Sequence, residues 1–368
     1  MNILLIVLLV LALFTLIIWL YIKQEKFGRL PSGERLKRIT ASSNYKEGQF
    51  QNQSFTPQLT EGATYTSLFK EFFFTKKERS KPSTILPSIK TDLLHLPIHE
   101  DVFIWMGHSS YFMQIDGKRI LVDPVLSGAA SPIKATTRSF PGADIYTVND
   151  FPEIDILFIS HDHWDHLDHT TIKKLKPKVK TVVTGLGTGE HLERWGYDPK
   201  MIHEKDWNEN LDLGDGFKVT VLPARHFSGR TFRRNRALWA SFALQTPHKK
   251  IYIGGDSGYD THFKKIGDEH GPFDMAMLEC GQYDKNWKYI HMMPEEVVDA
   301  AKELKAQKFI AVHWGKFQLG NHSWDDPIRR VYKTAHHRTT PLLTPMIGEQ
   351  VNINDNAQLF SNWWEQIK

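Results

Sequence analysis

The sequence has little of what marks a disulfide-stabilised or a nucleic-acid-binding protein. It contains one cysteine, Cys280, so no disulfide can form within the chain, which fits a reducing compartment. Without a partner thiol, Cys280 is expected to be buried filler. The formal net charge of +4 is small for 368 residues. No added domain or strongly basic face stands out, so we expect no nucleic-acid partner.

Charged residues are absent from the apolar run Ile3 to Ile22. A helix of about 20 residues spans the hydrocarbon core of a bilayer, and Trp19 and Tyr21 stand near its end, as interfacial aromatics often do. A cleaved signal peptide is the alternative. However, the run is longer than a usual signal-peptide core, no basic residue precedes it and no small-residue cleavage site follows it. We therefore expect residues 1–22 to form a transmembrane anchor.

The segment after the apolar run is polar and basic, so the positive-inside rule places the main domain of this single-pass protein on the cytoplasmic side. Its first cations are Lys23, Lys26, Arg29, Arg35, Lys37 and Arg38. No hydrophobic period is visible from residue 23 to about residue 60, which predicts a linker or a loosely packed arm. The aromatic and basic segment Leu68 to Lys77 favours a core-facing helix over contact with a membrane or lipid. Residues 23–99 are thus expected to form a linker and N-terminal arm.

From residue 100 onwards, short apolar runs alternate with turn-forming residues, which predicts an α/β domain of layered sheets and helices over residues 100–368. The pair Asp116-Gly117 predicts a tight hairpin between two of the strands. The predicted strands cover residues 102–106, 111–115, 119–122, 154–159, 181–183, 217–222, 239–245, 251–253 and 308–312. The predicted helices cover residues 170–176, 188–195 and 294–304.

Histidine is abundant, with 18 in the chain, and several lie just after the apolar strand 154–159. From an extended backbone, His161 and His163 can point the same way. Asp165 and His166 follow on the turn into the next helix and can face a second site. Imidazole and carboxylate are the ligands that zinc accepts in catalytic sites, where one position is left for water. A solvated polar loop is the plainer alternative, but so many ligand-type residues after a buried strand predict metal binding.

The HxHxDH spacing from His161 to His166 resembles the metallo-β-lactamase superfamily. The resemblance implies an αββα sandwich with a dinuclear metal site at one edge of its two sheets. It also implies three further ligands, which His226, Asp256 and His313 match, each after a later predicted strand. By this resemblance His161, His163 and His226 hold one zinc ion. Asp165, His166 and His313 hold the other, and Asp256 lies between the two.

Within the superfamily, the sequence looks like the N-acylphosphatidylethanolamine-hydrolysing phospholipase D branch and its bacterial relatives. Seven segments carry this likeness: Trp105 to Ser110, Leu121 to Pro124, His163 to Asp168, Arg234 to Ser241, Gly255 to Tyr259, Ile290 to Glu296 and His313 to Phe317. A sugar-phosphate lactonase branch shares part of this pattern. The sequence around His291 differs from that of the animal enzyme. The resemblance implies a zinc phosphodiesterase that cleaves N-acylphosphatidylethanolamine to N-acylethanolamine and phosphatidic acid, and the expected anchor would hold it at the membrane.

Asp165, Asp256 and His291 form the expected catalytic set. His291 is the candidate for contacting the phosphate or protonating the leaving alcohol, since it precedes a helix start where an anion is favoured. A structural histidine is the alternative. Asp168 is expected to orient a ligand or to pack the loop from His161 to His166, called the metal-binding loop below. Weaker candidates for substrate contact are His108, which can instead be structural, and Arg230 and Arg234, whose basic run can instead be solvated surface.

Two other functions stay open. One is a zinc hydrolase of a small soluble substrate, such as a lactone or a sugar-phosphate ester. The other is a non-catalytic metal-binding relative, which the complete set of ligand positions disfavours. The oligomeric state is also open, with a homodimer among the alternatives.

Overall fold

The computed structural model describes residues 3–75 and 78–367. Residues 1, 2, 76, 77 and 368 fall in the expected anchor, in the segment Leu68 to Lys77 and in the expected catalytic domain, and they lie outside the described residues. The α-helices of the described part are α1 (Ile3–Ile22), α2 (Gly33–Ala41), α3 (Tyr65–Phe74), α4 (His169–Leu175), α5 (Gly189–Arg194), α6 (His262–Glu269), α7 (Pro294–Glu303) and α8 (Asp326–His337).

The strands form a small hairpin and two seven-stranded sheets. The hairpin consists of β1 (Tyr45–Lys46) and β2 (Gln49–Phe50). The first sheet contains β3 (Val102–Trp105), β4 (Tyr111–Ile115), β5 (Lys118–Val122), β6 (Ile154–Ile159), β7 (Val179–Gly185) and β8 (Ile202–Lys205). The second sheet contains β9 (Asn210–Gly214), β10 (Phe217–Leu222), β11 (Ser241–Gln245), β12 (Lys250–Ile253), β13 (Met275–Glu279), β14 (Phe309–Val312) and β15 (Leu342–Leu343). The last strand, β16 (Gln350–Asn352), returns to the first sheet beside β3.

Both sheets repeat one pairing pattern. In the first sheet β16, β3, β4 and β5 pair antiparallel, and β5 to β8 pair parallel. In the second sheet β9 to β12 pair antiparallel, and β12 to β15 pair parallel. Parallel neighbours need crossover connections, which helices α4 to α8 supply for every parallel pair except β5 and β6, whose connection contains no α-helix. Each sheet therefore presents the carboxyl ends of its parallel strands at one edge.

Side chains of the first sheet point alternately to its two faces, and each face is covered by an apolar layer. Phe103 and Trp105 belong to the core that the two sheets share, together with Phe242 of β11. Val102 and Ile104 point the other way, into a second apolar cluster that includes residues of α4 and α5. The result is an αββα sandwich, which confirms the fold predicted from the sequence. The buried Cys280 lies in the shared core, as expected.

The N-terminal helix α1 is long and apolar enough to cross a membrane, by length and composition alone. None of its side chains is buried against the rest of the protein. A signal sequence near the N-terminus meets the same criteria. Helix α3 is also more exposed than expected: Tyr65, Phe69 and Phe74 are exposed instead of facing the core.

Residues 23–60, expected to form a linker or a loosely packed arm, lie against the domain and contribute a few buried side chains. Ile39 of α2 and Phe50 of β2 are buried in the core that the two sheets share. Arg35 places its Nε 2.6 Å from Glu204 Oε2 and its Nη1 2.6 Å from Glu190 Oε2. Both carboxylates are buried. They lie far from Arg35 in the sequence, so a local hydrophobic period could not have revealed these contacts.

Replacing Arg35 with methionine is expected to lower the free energy of unfolding by about 3–5 kcal/mol, because it leaves the buried carboxylate of Glu204 without its cation. Urea unfolding of the purified protein in detergent measures the change. The matched control is Lys37→Met, which removes an exposed ion pair with Glu34 in the same helix and should cost less than about 1 kcal/mol. Equal and small losses in both variants would contradict the packing role of the arm.

Candidate metal centre

The residues predicted as ligands come together where strands of both sheets end. His161, His163, Asp165 and His166 follow β6 of the first sheet. The other three follow strands of the second sheet: His226 after β10, Asp256 after β12 and His313 after β14. Because the backbone of each strand is held by its neighbours, side chains just past its end are positioned firmly yet reach the cleft at the edge. The fold thus brings all seven residues to one place.

Three histidines form the first group of ligand atoms. His161 Nε2 lies 2.9 Å from His163 Nδ1, and His226 Nε2 lies 3.2 Å from the same His163 atom. The ligand atoms of this group all lie within 4.8 Å of one another. Such a triad of imidazoles is the ligand arrangement of catalytic zinc sites that keep a fourth position for water.

The second group lies beside the first and shares Asp256 with it. Asp256 Oδ2 is 3.1 Å from His166 Nε2 and 3.9 Å from His161 Nε2, and Asp256 Oδ1 is 3.2 Å from His313 Nδ1. Asp165 Oδ2 is 3.6 Å from His166 Nε2 and 4.0 Å from His313 Nε2. One carboxylate therefore stands between two sets of ligand atoms, as a bridging ligand would.

The electrostatics of the site fit a pair of metal ions. Burial, with neighbouring imidazoles adding to it, lowers the pKa of His161 well below its usual value, so that its ring is neutral and has a free lone pair. Burial by itself would raise the pKa of Asp256, but His166 and His313 outweigh it and hold that pKa well below its usual value. Asp256 Oδ1 is buried and accepts no hydrogen bond from the described residues, although His313 Nδ1 lies 3.2 Å away. Four of the five predicted imidazole ligands have lowered pKa values, whereas Asp256 and Asp165 outweigh burial and raise the pKa of His166 well above its usual value. Four neutral imidazoles beside an ionised carboxylate are a donor set that a metal cation completes, and its binding would displace the proton of His166.

A second ring of side chains holds the ligands in place, and Asp123 is its most connected member. Its Oδ2 lies 2.8 Å from His166 Nδ1 and accepts a hydrogen bond from Ser160 Oγ, while its Oδ1 accepts one from the Ser160 backbone N–H. This contact orients the His166 ring so that Nε2 faces Asp256. Asp123 stands in the family-like segment Leu121 to Pro124, and no role was predicted for it. Its position directly after β5, at the same sheet edge, is the signal that could have found it.

Other ligands are held by contacts that come from several parts of the chain. Ser109 Oγ is 2.8 Å from His313 Nδ1. His226 Nδ1 donates to the carbonyl of Ile290, which leaves Nε2 toward the other histidines. Asn52 of the N-terminal arm bonds both the backbone N–H and the carbonyl of His226. The arm is thereby part of the support of the site.

His108 and Asp168 lie beneath the ligands. His108 is fully buried, and its Nε2 is 2.9 Å from Asp165 Oδ2, so it orients this ligand. Asp168 caps the start of α4 by accepting from the backbone N–H of Thr170, and it also accepts from Thr171 Oγ1. Asp168 therefore fixes the start of α4, directly after the loop that carries the predicted ligands. Neither residue lines the cavity described next.

A cavity of about 480 Å³ opens above the ligands. Its floor includes His163, Asp165, His226, Asp256 and His313, and its size is typical of a small-ligand site. The walls are both apolar and polar, and they include Leu59, Phe227, Trp287, Ile290 and Leu319 among the apolar residues and Gln51, Asn52 and Gln58 among the amides.

His291 and Arg234 line this cavity, whereas Arg230 does not. The His291 ring centre is 5.0 Å from that of His226, and its Nδ1 is 3.5 Å from Glu279 Oε2. Burial by itself would lower the pKa of His291, but Glu279 outweighs it and raises that pKa. Arg234 stacks over Phe227 at 5.0 Å. Both side chains therefore reach the cavity, as expected for residues that contact a substrate.

Arg230 lies away from the cavity, contrary to the expectation that it contacts substrate. Its side chain is 4% exposed. The guanidinium donates to the backbone carbonyls of Asp162 and Leu167 and to that of Lys26. It also stacks over Trp164 at 3.9 Å. Arg230 therefore joins the metal-binding loop to the segment that follows α1.

Comparison with known proteins agrees with this geometry. Residues 118–314 match the model of the β-lactamase superfamily domain. An uncharacterised protein of Mycobacterium tuberculosis is 34% identical over 327 residues, which cover 88% of this chain and 87% of that protein. The N-acyl-phosphatidylethanolamine-hydrolyzing phospholipase D 1 of Caenorhabditis elegans is 32% identical over 234 residues, which cover 59% of this chain and 64% of that protein.

The fold itself has solved counterparts. A metallo hydrolase from the archaeon Ignicoccus hospitalis superposes with a TM-score of 0.54 at 18% sequence identity. The match covers 68% of this chain and 97% of that structure. At this identity the likeness concerns the fold alone.

Replacing Asp123 with asparagine is expected to weaken metal affinity by about 10–100-fold, because the His166 ring loses the carboxylate that orients it. Competition with a chromogenic chelator measures the affinity. Asparagine tolerates the positive φ of 40° at this position, so the backbone should be unchanged. The matched control is Asp215→Asn, which has a similar φ of 51° but an exposed side chain. Wild-type affinity in Asp123→Asn would show that this contact does not support the metal centre.

Proposed function

Since the chain belongs to the β-lactamase superfamily and has the metallo-β-lactamase fold of a metal-dependent hydrolase, we propose that it is a two-zinc phosphodiesterase of phospholipase D type. Its substrate is N-acylphosphatidylethanolamine, and its products are N-acylethanolamine and phosphatidic acid. The likeness to the phospholipase D of Caenorhabditis elegans supports this substrate, although the match spans less than two thirds of that protein.

One observation carries the proposal: Asp256 stands between two groups of ligand atoms on the floor of a partly apolar cavity. A phosphodiester needs charge stabilisation on both the attacking and the leaving oxygen, which a pair of sites a few ångströms apart provides. The apolar wall residues Phe227, Trp287 and Ile290 can accommodate hydrocarbon chains on either side of the phosphate.

The proposed division of the ligand residues is the one that the resemblance implies. His161, His163 and His226 would hold one zinc ion, Asp165, His166 and His313 would hold the other, and Asp256 would contribute to both sites. When bound, the two ions activate a water molecule near neutral pH and offset the charge of the phosphate. Asp256 and Asp165 stay ionised because nearby histidines lower their pKa values, so they keep their ligand form at neutral pH.

His291 supplies the proton that the leaving group requires. Hydrolysis breaks the bond between phosphorus and the ethanolamine oxygen, and that oxygen must take up a proton. His291 faces the cavity, and Glu279 beside it raises the pKa of the imidazole, which favours its protonated form. Arg234, at the wall of the cavity, is placed to contact the phosphate.

The membrane is the proposed partner of α1. A retained anchor keeps the catalytic domain beside an insoluble substrate, and the basic residues after Ile22 favour the cytoplasmic side. The exposed aromatic residues Tyr65, Phe69 and Phe74 of α3, whose Tyr65 lines the cavity, are well placed for lipid to enter.

A second candidate is hydrolysis of a small soluble lactone or sugar-phosphate ester. The observation that favours it is the set of amides in the cavity wall, Gln51, Asn52 and Gln58, which can bind hydroxyl groups. The same metal centre and the same proton carrier would serve this reaction.

The full-length protein in detergent is expected to contain about two zinc ions per chain and to release N-acylethanolamine from N-acylphosphatidylethanolamine in a chelator-sensitive reaction. Asp256→Ala removes the residue shared by the two sites, so both the metal content and the release should be lost. Elemental analysis and mass-spectrometric product detection measure the two. Metal-loaded protein without release would instead favour the soluble ester, and release in metal-free protein would exclude the mechanism.

Replacing His291 with glutamine is expected to lower kcat by about 10²–10⁴-fold, because the reaction loses the side chain proposed to protonate the leaving oxygen. The metal content should stay as in the wild type, which distinguishes loss of a proton carrier from loss of a ligand. His336→Gln, on the exposed part of α8, is the matched control. A wild-type kcat in His291→Gln would make His291 a structural histidine.

A further inference from the structure

A second cavity, of about 510 Å³, lies where α1 meets the domain, and it is distinct from the cavity above the metal ligands. Its lining combines the last turn of α1 with cations from three other segments. The cations are Lys23, Arg29, Arg194, Arg230, Arg233 and Arg236. We propose that this basic cavity binds the phosphate headgroup of an anionic phospholipid from the bilayer that holds α1. The inference rests on the membrane anchor of the proposed function, but not on its substrate.

The cavity has more positive charge than its own acidic residue can offset. Among its described lining residues the only carboxylate is Asp162. Both oxygens of Asp162 are already engaged, Oδ1 by the backbone N–H of Gly229 and Oδ2 by His191 Nε2 at 3.2 Å. A negatively charged ligand would therefore meet cations with little competition.

Two of the six cations are occupied by contacts within the protein. Arg29 pairs with Glu190 at 2.6 Å, and Arg230 donates to backbone carbonyls. The other four, which are Lys23, Arg194, Arg233 and Arg236, form no ion pair with a carboxylate in the described part of the chain. Arg194 donates to the carbonyl of Lys23 and Arg236 to Tyr45 Oη, contacts that leave their charge unneutralised. One guanidinium group can donate two parallel hydrogen bonds to two oxygens of the same phosphate. The arginines whose charge is unneutralised are therefore suited to bind a phosphate monoester or diester.

The position of the cavity selects a lipid over a soluble anion. The α1 residues Trp19 and Ile22 line it, and they lie at the end of the apolar run, at the depth where lipid headgroups begin. Phe232 stands on the same lining with its side chain 84% exposed. An aromatic and aliphatic rim beside a basic pocket matches a headgroup with acyl chains attached, and a free phosphate would use only the basic part.

The wall of this cavity is also the back of the metal-binding loop. Asp162 lies between the ligands His161 and His163 in sequence. Phe27, which lines the cavity, packs edge-on against Trp164 with ring centres 5.1 Å apart. A headgroup bound here would therefore stabilise the juxtamembrane segment against the loop that carries the ligands, and the domain should become more resistant to unfolding.

The test uses the metal-loaded, full-length protein in nanodiscs, and it requires no turnover. Replacing pure phosphatidylcholine with phosphatidylcholine that contains phosphatidylglycerol is expected to raise Tm by about 2–4 °C. The double variant R194Q/R233Q should lose this rise and keep the wild-type Tm in pure phosphatidylcholine. The control double variant K302Q/K333Q, on exposed positions of α7 and α8, should keep the rise.

Three outcomes would overturn the inference. An equal rise on adding inorganic phosphate to phosphatidylcholine nanodiscs would identify a site for soluble anions. Loss of the rise in the control variant as well would identify a nonspecific effect of charge. No rise in the wild type would remove the site altogether, even if the enzyme releases N-acylethanolamine. If R194Q/R233Q does not fold, the single variant R233Q decides, since this guanidinium is exposed and needs no contact for folding.

Discussion

Five histidine and two aspartate side chains from both sheets come together where the strands end, and all of them except His163 are buried. Burying so many imidazoles and ionised carboxylates is unfavourable unless a cation completes the set, since each unpaired group loses its water. The surrounding chain is arranged to hold that unfavourable set together. Asp123 orients His166, and His108 orients Asp165. The apolar core that the two sheets share holds the strands in place.

The ligands could be predicted from the sequence because each follows a strand with a clear local signal. The run from His161 to His166 sits directly after β6, and β6 and β10 have the bounds that their apolar patterns predicted. The hairpin at Asp116-Gly117 is also confirmed, since both residues have positive φ. In contrast, β8, β9, β13 and helices α2, α6 and α8 were not predicted. The segments of β8, β9, α2, α6 and α8 are short or polar, so packing against distant elements decides their structure. The apolar run of β13, in contrast, does carry a local signal.

Long-range contacts explain what the sequence could not reveal about the site. Asn52 forms hydrogen bonds with the backbone of His226, although the arm that contains it has a polar and irregular sequence. Arg35 of the same arm forms ion pairs with carboxylates far away in the sequence. Arg230 stands in a basic run that is typical of an exposed surface, yet its guanidinium is buried under the metal-binding loop. In each case the partner is a backbone group or a distant side chain, and neither leaves a pattern in the local sequence.

The division of the ligands between the two sheets has a consequence for how the protein matures. Four ligands follow β6 in the first sheet, and three follow β10, β12 and β14 in the second, so neither half of the chain contains the complete set. The full donor set exists only after the halves have docked. Metal binding by the complete set would therefore require the two sheets to be docked, and it would stabilise the docked state. A chain whose halves fail to dock would bind little metal and would stay exposed to proteolysis. The supply of metal would therefore influence the amount of native protein.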